Sequence, residues 1–141
     1  MSIEESKAMM HRSLEVFNKG NLDLIDELYS KNYLSHAPAT AREINGPEAM
    51  KQYVSELRSA FPDLNITIDD NIGEGEKIVS LQTLTGTHKG EFNGIPPTGK
   101  KFSLKSAIVN KIVNGKFVET WVYMDSLDLM QQLGIIQMPP A

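Results

Sequence analysis

An α+β fold, with a curved antiparallel sheet wrapped around N-terminal helices, is predicted by three features of this 141-residue chain. Helical periodicity dominates the first sixty or so positions, alternation of period two takes over from Leu64, and Asn114-Gly115 marks a tight hairpin between two long apolar-rich runs. Helices first and strands afterwards imply one helical layer packed on one sheet, with the concave face of the sheet as the natural place for a pocket. At this length and 40% hydrophobic content the chain can fill one core and not two, so residues 1–141 are expected to form a single domain.

Ser2 and Glu5 have the spacing of a capping box, and Ile3, Met10, Leu14 and Phe17 recur on one face until Gly20, where the first helix should end. A short second helix is expected from Leu22 to Tyr29, capped by Asn21, with Asp23 and Asp26 at its positive end and Ile25 and Leu28 buried. Tyr33–Ala37 reads as a short strand, and Ala37–Asn45, which contains Pro38 and little periodicity, as a loop. Pro47 opens a third helix whose buried stripe is Met50, Val54, Leu57 and Phe61, and Pro62 stops it.

Leu64, Ile66 and Ile68 alternate with polar residues, and the Gly73-Glu74-Gly75-Glu76 turn joins that strand to one from Ile78 to about Thr87. Gly90–Gly99 is a longer loop, followed by strands Phe102–Val113 and Phe117–Met124. A last helix, Ser126–Leu133, ends at Gly134, and the Met-Pro-Pro-Ala tail is expected to fray. Parity places Phe102, Leu104 and Ile108 on one sheet face and Val109, Trp121 and Tyr123 on the other. An outer face so apolar predicts a second copy of the chain covering it, a homodimer through Val109, Trp121 and Tyr123.

Composition removes several function classes. The chain has no cysteine, which excludes disulfides, thiolate metal sites and a cysteine nucleophile, and there is no HExxH, phosphate-binding glycine loop or serine elbow. Fourteen basic against 18 acidic residues, net −4, argue against nucleic acid as a partner. The start Met-Ser-Ile-Glu-Glu-Ser lacks a secretory pattern and no apolar run is long enough to span a bilayer, so a cytoplasmic protein with no membrane partner is expected.

The segment from Gly86 to Gly99, GTHKGEFNGIPPTG, resembles the corresponding segment of SnoaL-like polyketide cyclases. So do Asn114–Trp121, NGKFVETW, with Asp125 and Gln132-Leu133-Gly134 beyond it, and the shorter stretches Asn32–His36 and Ala60–Leu64. The resemblance covers nearly the whole chain. It implies a cone-shaped α+β barrel of the nuclear-transport-factor-2-like, or cystatin-like, kind, dimeric or larger, and chemistry without metal or organic cofactor. It also implies aldol closure of a polyketide ring by an aspartate acting as general acid and base. The position of that aspartate holds Val122 here, that of a pocket histidine holds Ile108, and that of the histidine in a common variant holds Thr120.

The remaining candidates for acid and base work are His36, which would leave its short strand near the cavity rim, and Asp125, which is equally well placed to cap the last helix. His88 suits turn stabilisation, and Glu119 suits cross-strand pairing with Lys101, Lys105 or Lys111. Tyr53, Ser106, Ile108, Thr120, Val122 and Met124 form the expected inward, ligand-binding set. Three functions compete: a cofactor-free cyclase or isomerase acting on a small apolar or aromatic carbonyl compound, a module that binds such a compound without turnover, and an oligomeric structural protein. The site residues, not the fold, must separate them.

Overall fold

The capping box at Ser2 forms as its spacing predicts: the Glu5 backbone N–H donates to Ser2 Oγ and the Ser2 N–H donates to Glu5 Oε1, both at 3.1 Å. It opens α1 (Ile3–Lys19), which ends at Gly20 in the left-handed region. A computed structural model describes residues 1–37 and 42–137. After α1 come α2 (Asp23–Leu28), β1 (Tyr29–Ala37), β2 (Arg42–Asn45), α3 (Gly46–Ala60), β3 (Asn65–Glu74), β4 (Lys77–Thr87), β5 (Lys101–Val113), β6 (Lys116–Met124) and α4 (Ser126–Gln132). The six strands form one open, curved sheet in the order β2-β1-β6-β5-β4-β3. Among the described residues, no helix is long and apolar enough to cross a membrane.

Three local expectations are corrected. Asn21 does not cap α2 with its side chain; Leu22 stands at that cap, and the N–H groups of Gly20 and Asn21 instead close α1 on the Glu15 carbonyl. The first strand begins at Tyr29, directly after α2, where it pairs with Phe117 of β6, while β2 pairs only with its second half, Leu34–Ala37. β1 runs parallel to β6, the one parallel pair among the described strands, whose other pairs are antiparallel. The expected loop Ala37–Asn45 contains β2, paired antiparallel with Leu34–Ala37. Residues 38–41 of that loop, and the tail from Met138, lie outside the described residues.

The hairpin turn is as read: Asn114 and Gly115 both have positive φ, 51° and 74°, the geometry that joins twisted strands in two residues. Two apolar clusters hold the layers together. One gathers Met10, Val16, Ile25, Tyr33, Val54 and Phe117 under the helices, and the other gathers Phe61, Leu64, Phe102, Leu104, Leu129 and Leu133 near α4. Side-chain amides dock two helices by imitating a strand. Asn18 receives the Ile66 N–H and donates to the Ile66 carbonyl, and Gln132 does the same for Ser103. The result is a helical layer set off from the sheet by a space that neither cluster fills.

Candidate functional site

Strand parity decides what faces that space. Ser106, Ile108 and Asn110 of β5, Thr120, Val122 and Met124 of β6, and Tyr33 and Ser35 of β1 line a narrow inner lobe of about 90 Å³. A wider lobe of about 390 Å³ adjoins it, sharing Ser35, Tyr53, Val122 and Met124, and is walled by Phe61, Phe92, Phe102, Leu104 and Leu129. All six residues read as the inward set therefore line the cavity, Tyr53 included. Tyr33, Ser35, Gln82 and Asn110 are lining residues that the sequence reading missed. Asn110 has the parity of Ile108, and Tyr33 and Ser35 share theirs with Ala37 on β1, but which face of β1 turns inward follows only from its pairing with β6.

Three polar side chains of the inner lobe form a hydrogen-bonded chain. Tyr33 donates its hydroxyl to Thr120 Oγ1 at 2.7 Å, Thr120 donates to Asn110 Oδ1, and Asn110 Nδ2 lies 3.2 Å from the Met10 sulfur. Burial pushes the Tyr33 phenol up to about 12, against the opposing hydrogen bonds from Thr120 and Ser35, so it stays a neutral donor. Tyr53 is also raised by burial, with the Arg42 guanidinium 4.9 Å above its ring pulling the other way. At the mouth Arg42 pairs with Glu56 at 3.0 Å. Among the described residues, the lining carries no carboxylate and no imidazole, and Arg42 at the wide end is its one charged group.

The two acid and base candidates stand elsewhere. His36 does not reach the cavity rim: β1 continues to Ala37, so alternation turns Ser35 and Ala37 inward and His36 outward. There Nε2 meets Glu119 at 2.7 Å, Nδ1 meets Glu43 at 3.1 Å, and the ring stacks on Trp121 with centroids 5.7 Å apart. This also corrects the partner of Glu119, which faces Lys111 in register but gives its carboxylate to His36. Asp125 caps α4, accepting the Asp128 N–H at 2.9 Å, and borders an open outer groove with Asp69 and Lys105 instead of the cavity. The outward expectation for Val109, Trp121 and Tyr123 agrees with the register, which aligns Val79, Val109 and Trp121 in one rung and Leu81, Ala107 and Tyr123 in the next.

The segment after β4 builds the wall of the wide lobe, supplying Phe92 and Asn93. His88, fully buried, anchors it: Nδ1 accepts the Thr98 backbone N–H at 3.2 Å, which assigns the ring proton to Nε2. The Gly99 N–H donates to the His88 carbonyl, and the N–H groups of Lys89 and Gly90 both donate to the carbonyl of Ala60, at the end of α3. Asp63 fixes the end of β4 by accepting the N–H and the hydroxyl of Thr87, both at 2.7 Å, and these bonds hold its carboxyl below the usual range.

The sequence profile of the SnoaL-like polyketide cyclases matches residues 7–133. The chain is 30% identical to the nogalonic acid methyl ester cyclase of Streptomyces nogalater, over 86% of this chain and 91% of that protein. It is also 30% identical to the aklanonic acid methyl ester cyclase DnrD of Streptomyces peucetius, over 89% and 88%. Among solved structures, TsrD from Streptomyces laurentii superimposes with a TM-score of 0.86 at 31% identity, covering 96% of this chain and 99% of that one.

Proposed function

Because the chain belongs to the SnoaL-like polyketide cyclase family, we propose that its cavity takes a small, mostly apolar, carbonyl-bearing molecule and cyclises or isomerises it without a cofactor. The observation that carries this reading is the make-up of the cavity: an aromatic, greasy wide end and an inner end of uncharged hydroxyl and amide groups. An aldol-type closure forms one C–C bond and moves one proton from the attacking carbon to the acceptor oxygen, so substrate and product are isomers. What the inner wall supplies is an uncharged polar surround for an oxygen on which negative charge grows. Val122 leaves no carboxylate to take the proton. The fitting substrate therefore carries an already acidic C–H, flanked by two carbonyls, whose proton passes to water in the wide lobe.

Ethyl 2-benzylacetoacetate, an apolar β-keto ester, provides the test. In D₂O the protein is expected to accelerate exchange of its C2 proton in a saturable way, read by proton NMR, and Ile108→Trp, which fills the inner lobe, is expected to abolish the effect. Saturable binding with no acceleration would instead establish the second reading, a module that holds such a molecule without turnover. That reading is favoured by the lack of a carboxylate or imidazole among the described lining residues. Absence of binding would sink both.

A second copy on the outer sheet face belongs to the same proposal. Leu81 and Tyr123 are 39% and 50% exposed, and their rung lies beside that of Val79, Val109 and Trp121. The flanking rungs carry both signs, Lys77 and Lys111 with Glu119 on one side and Lys105 with Asp69 on the other. A twofold contact then pairs opposite charges around an apolar centre. Trp121→Glu is expected to move sedimentation from dimer to monomer with the fold retained; an unchanged mass would refute the contact.

A further inference from the structure

Ser106 is left over by the cavity's own hydrogen bonding. It is 8% exposed, its Oγ has no hydrogen-bond partner among the described residues, and its rung neighbours Gln82 and Met124 line the inner lobe with it. Among the described residues it is the one lining hydroxyl of that lobe that is both shut off from solvent and without a partner. Ser13 donates to the Met10 carbonyl at 2.6 Å, and Tyr33 and Thr120 donate along the chain to Asn110. The Gln82 amide nitrogen is turned to Ser80. A buried hydroxyl without a partner destabilises the fold, and that cost is offset once something in the cavity offers it an acceptor.

We propose that Ser106 orients the ligand: its O–H donates to a carbonyl oxygen at the leading end of an aryl or cycloalkyl ketone, whose hydrocarbon body then occupies the wide lobe. This rests on the reading of the cavity as the seat of a carbonyl compound and adds which end enters first and which residue selects it. A carbonyl suits the position better than a hydroxyl. The oxygens of Thr120 and Asn110 each already accept a hydrogen bond, and a ligand hydroxyl would bring one more donor into the lobe.

The test compares 1-tetralone with tetralin, the same bicycle without the oxygen, titrated by ligand-observed NMR into the wild-type protein and Ser106→Ala. Wild type is expected to hold 1-tetralone the more tightly. Ser106→Ala is expected to weaken 1-tetralone about 3–10-fold, the share of one neutral hydrogen bond, while tetralin changes less than about twofold. The melting temperature of the unliganded variant should stay level or rise, since a buried unpartnered hydroxyl has gone. Equal weakening of both compounds, or unchanged 1-tetralone affinity, would overturn the assignment and leave the cavity reading in place. Failure of the wild-type protein to bind either compound would overturn both.

Discussion

Val122→Asp is expected to give a folded protein that loses roughly 3–4 kcal/mol of stability, relative to wild type, between pH 4 and pH 8. Val122 borders both lobes, among Ile108, Leu57 and Met124, with no cation nearer than the mouth on the described lining. A carboxylate placed there is poorly solvated, so its pKa in the folded state rises well above the value of about 3.9 that it keeps when unfolded. Between these two values the folded state holds more protons than the unfolded one. The pH-dependent loss is therefore absent below about pH 4, grows as pH rises through the gap, and levels off above the folded-state pKa. Urea denaturation of variant and wild type at several pH values measures the difference. A gap that does not change with pH would mean that the new carboxylate is solvated, and that position 122 does not face the hollow. The same variant probes the chemistry, because a carboxylate with a raised pKa is a competent base near neutrality. Exchange of the β-keto ester should accelerate beyond wild type, with a pH profile that follows the titration of the new group.

Parity along β5 and β6 was legible because the pairing runs unbroken from Ser106–Met124 to Lys111–Glu119, so alternation fixes each inward residue of that stretch, although a register shift between Lys111 and Ile112 separates it from the turn. The family was legible in the segment Gly86–Gly99. Less so was β1, whose first half, Tyr29-Ser30-Lys31-Asn32, is mostly polar and is held extended by neighbours distant in sequence. The start at Tyr33 does not bear on His36, because the expected strand Tyr33–Ala37 already contains it and alternation with Ser35 and Ala37 turns its ring away from the cavity. Its actual place against Trp121 and Glu119 depends on the parallel pairing of β1 with β6, which no local pattern announces. Asp125 shows a different limit. The sequence contained both of its roles, cap and base, and only the bond to the Asp128 N–H separates them.

The glycines of the loop present the same difficulty, since a motif shows where they stand and not why. Gly90→Ala is expected to destabilise the protein by about 3–5 kcal/mol, a fall in Tm of about 10–20 °C, whereas Gly94→Ala four residues on should cost only about 1 kcal/mol. A Cβ at Gly90 would lie 2.3 Å from the Ser59 carbonyl oxygen and 3.2 Å from the Ala60 Cα, both backbone atoms of α3 that have no rotamer by which to yield. The loop would have to lift away, stretching the bonds from Lys89 and Gly90 to the Ala60 carbonyl and withdrawing Phe92 from Phe61, whose rings now sit 5.1 Å apart. Gly94 is the opposite case: nothing lies within 4 Å of an added Cβ, and its cost is the backbone preference at φ +80° alone. Thermal melts of the two variants separate crowding from conformation, and similar losses for both would refute the docking argument. Because the lifted loop is also the wall of the wide lobe, Gly90→Ala should weaken both 1-tetralone and tetralin at temperatures where it is still folded. That pattern differs from the oxygen-selective loss expected at Ser106, and it connects a packing contact on α3 to the size of the cavity.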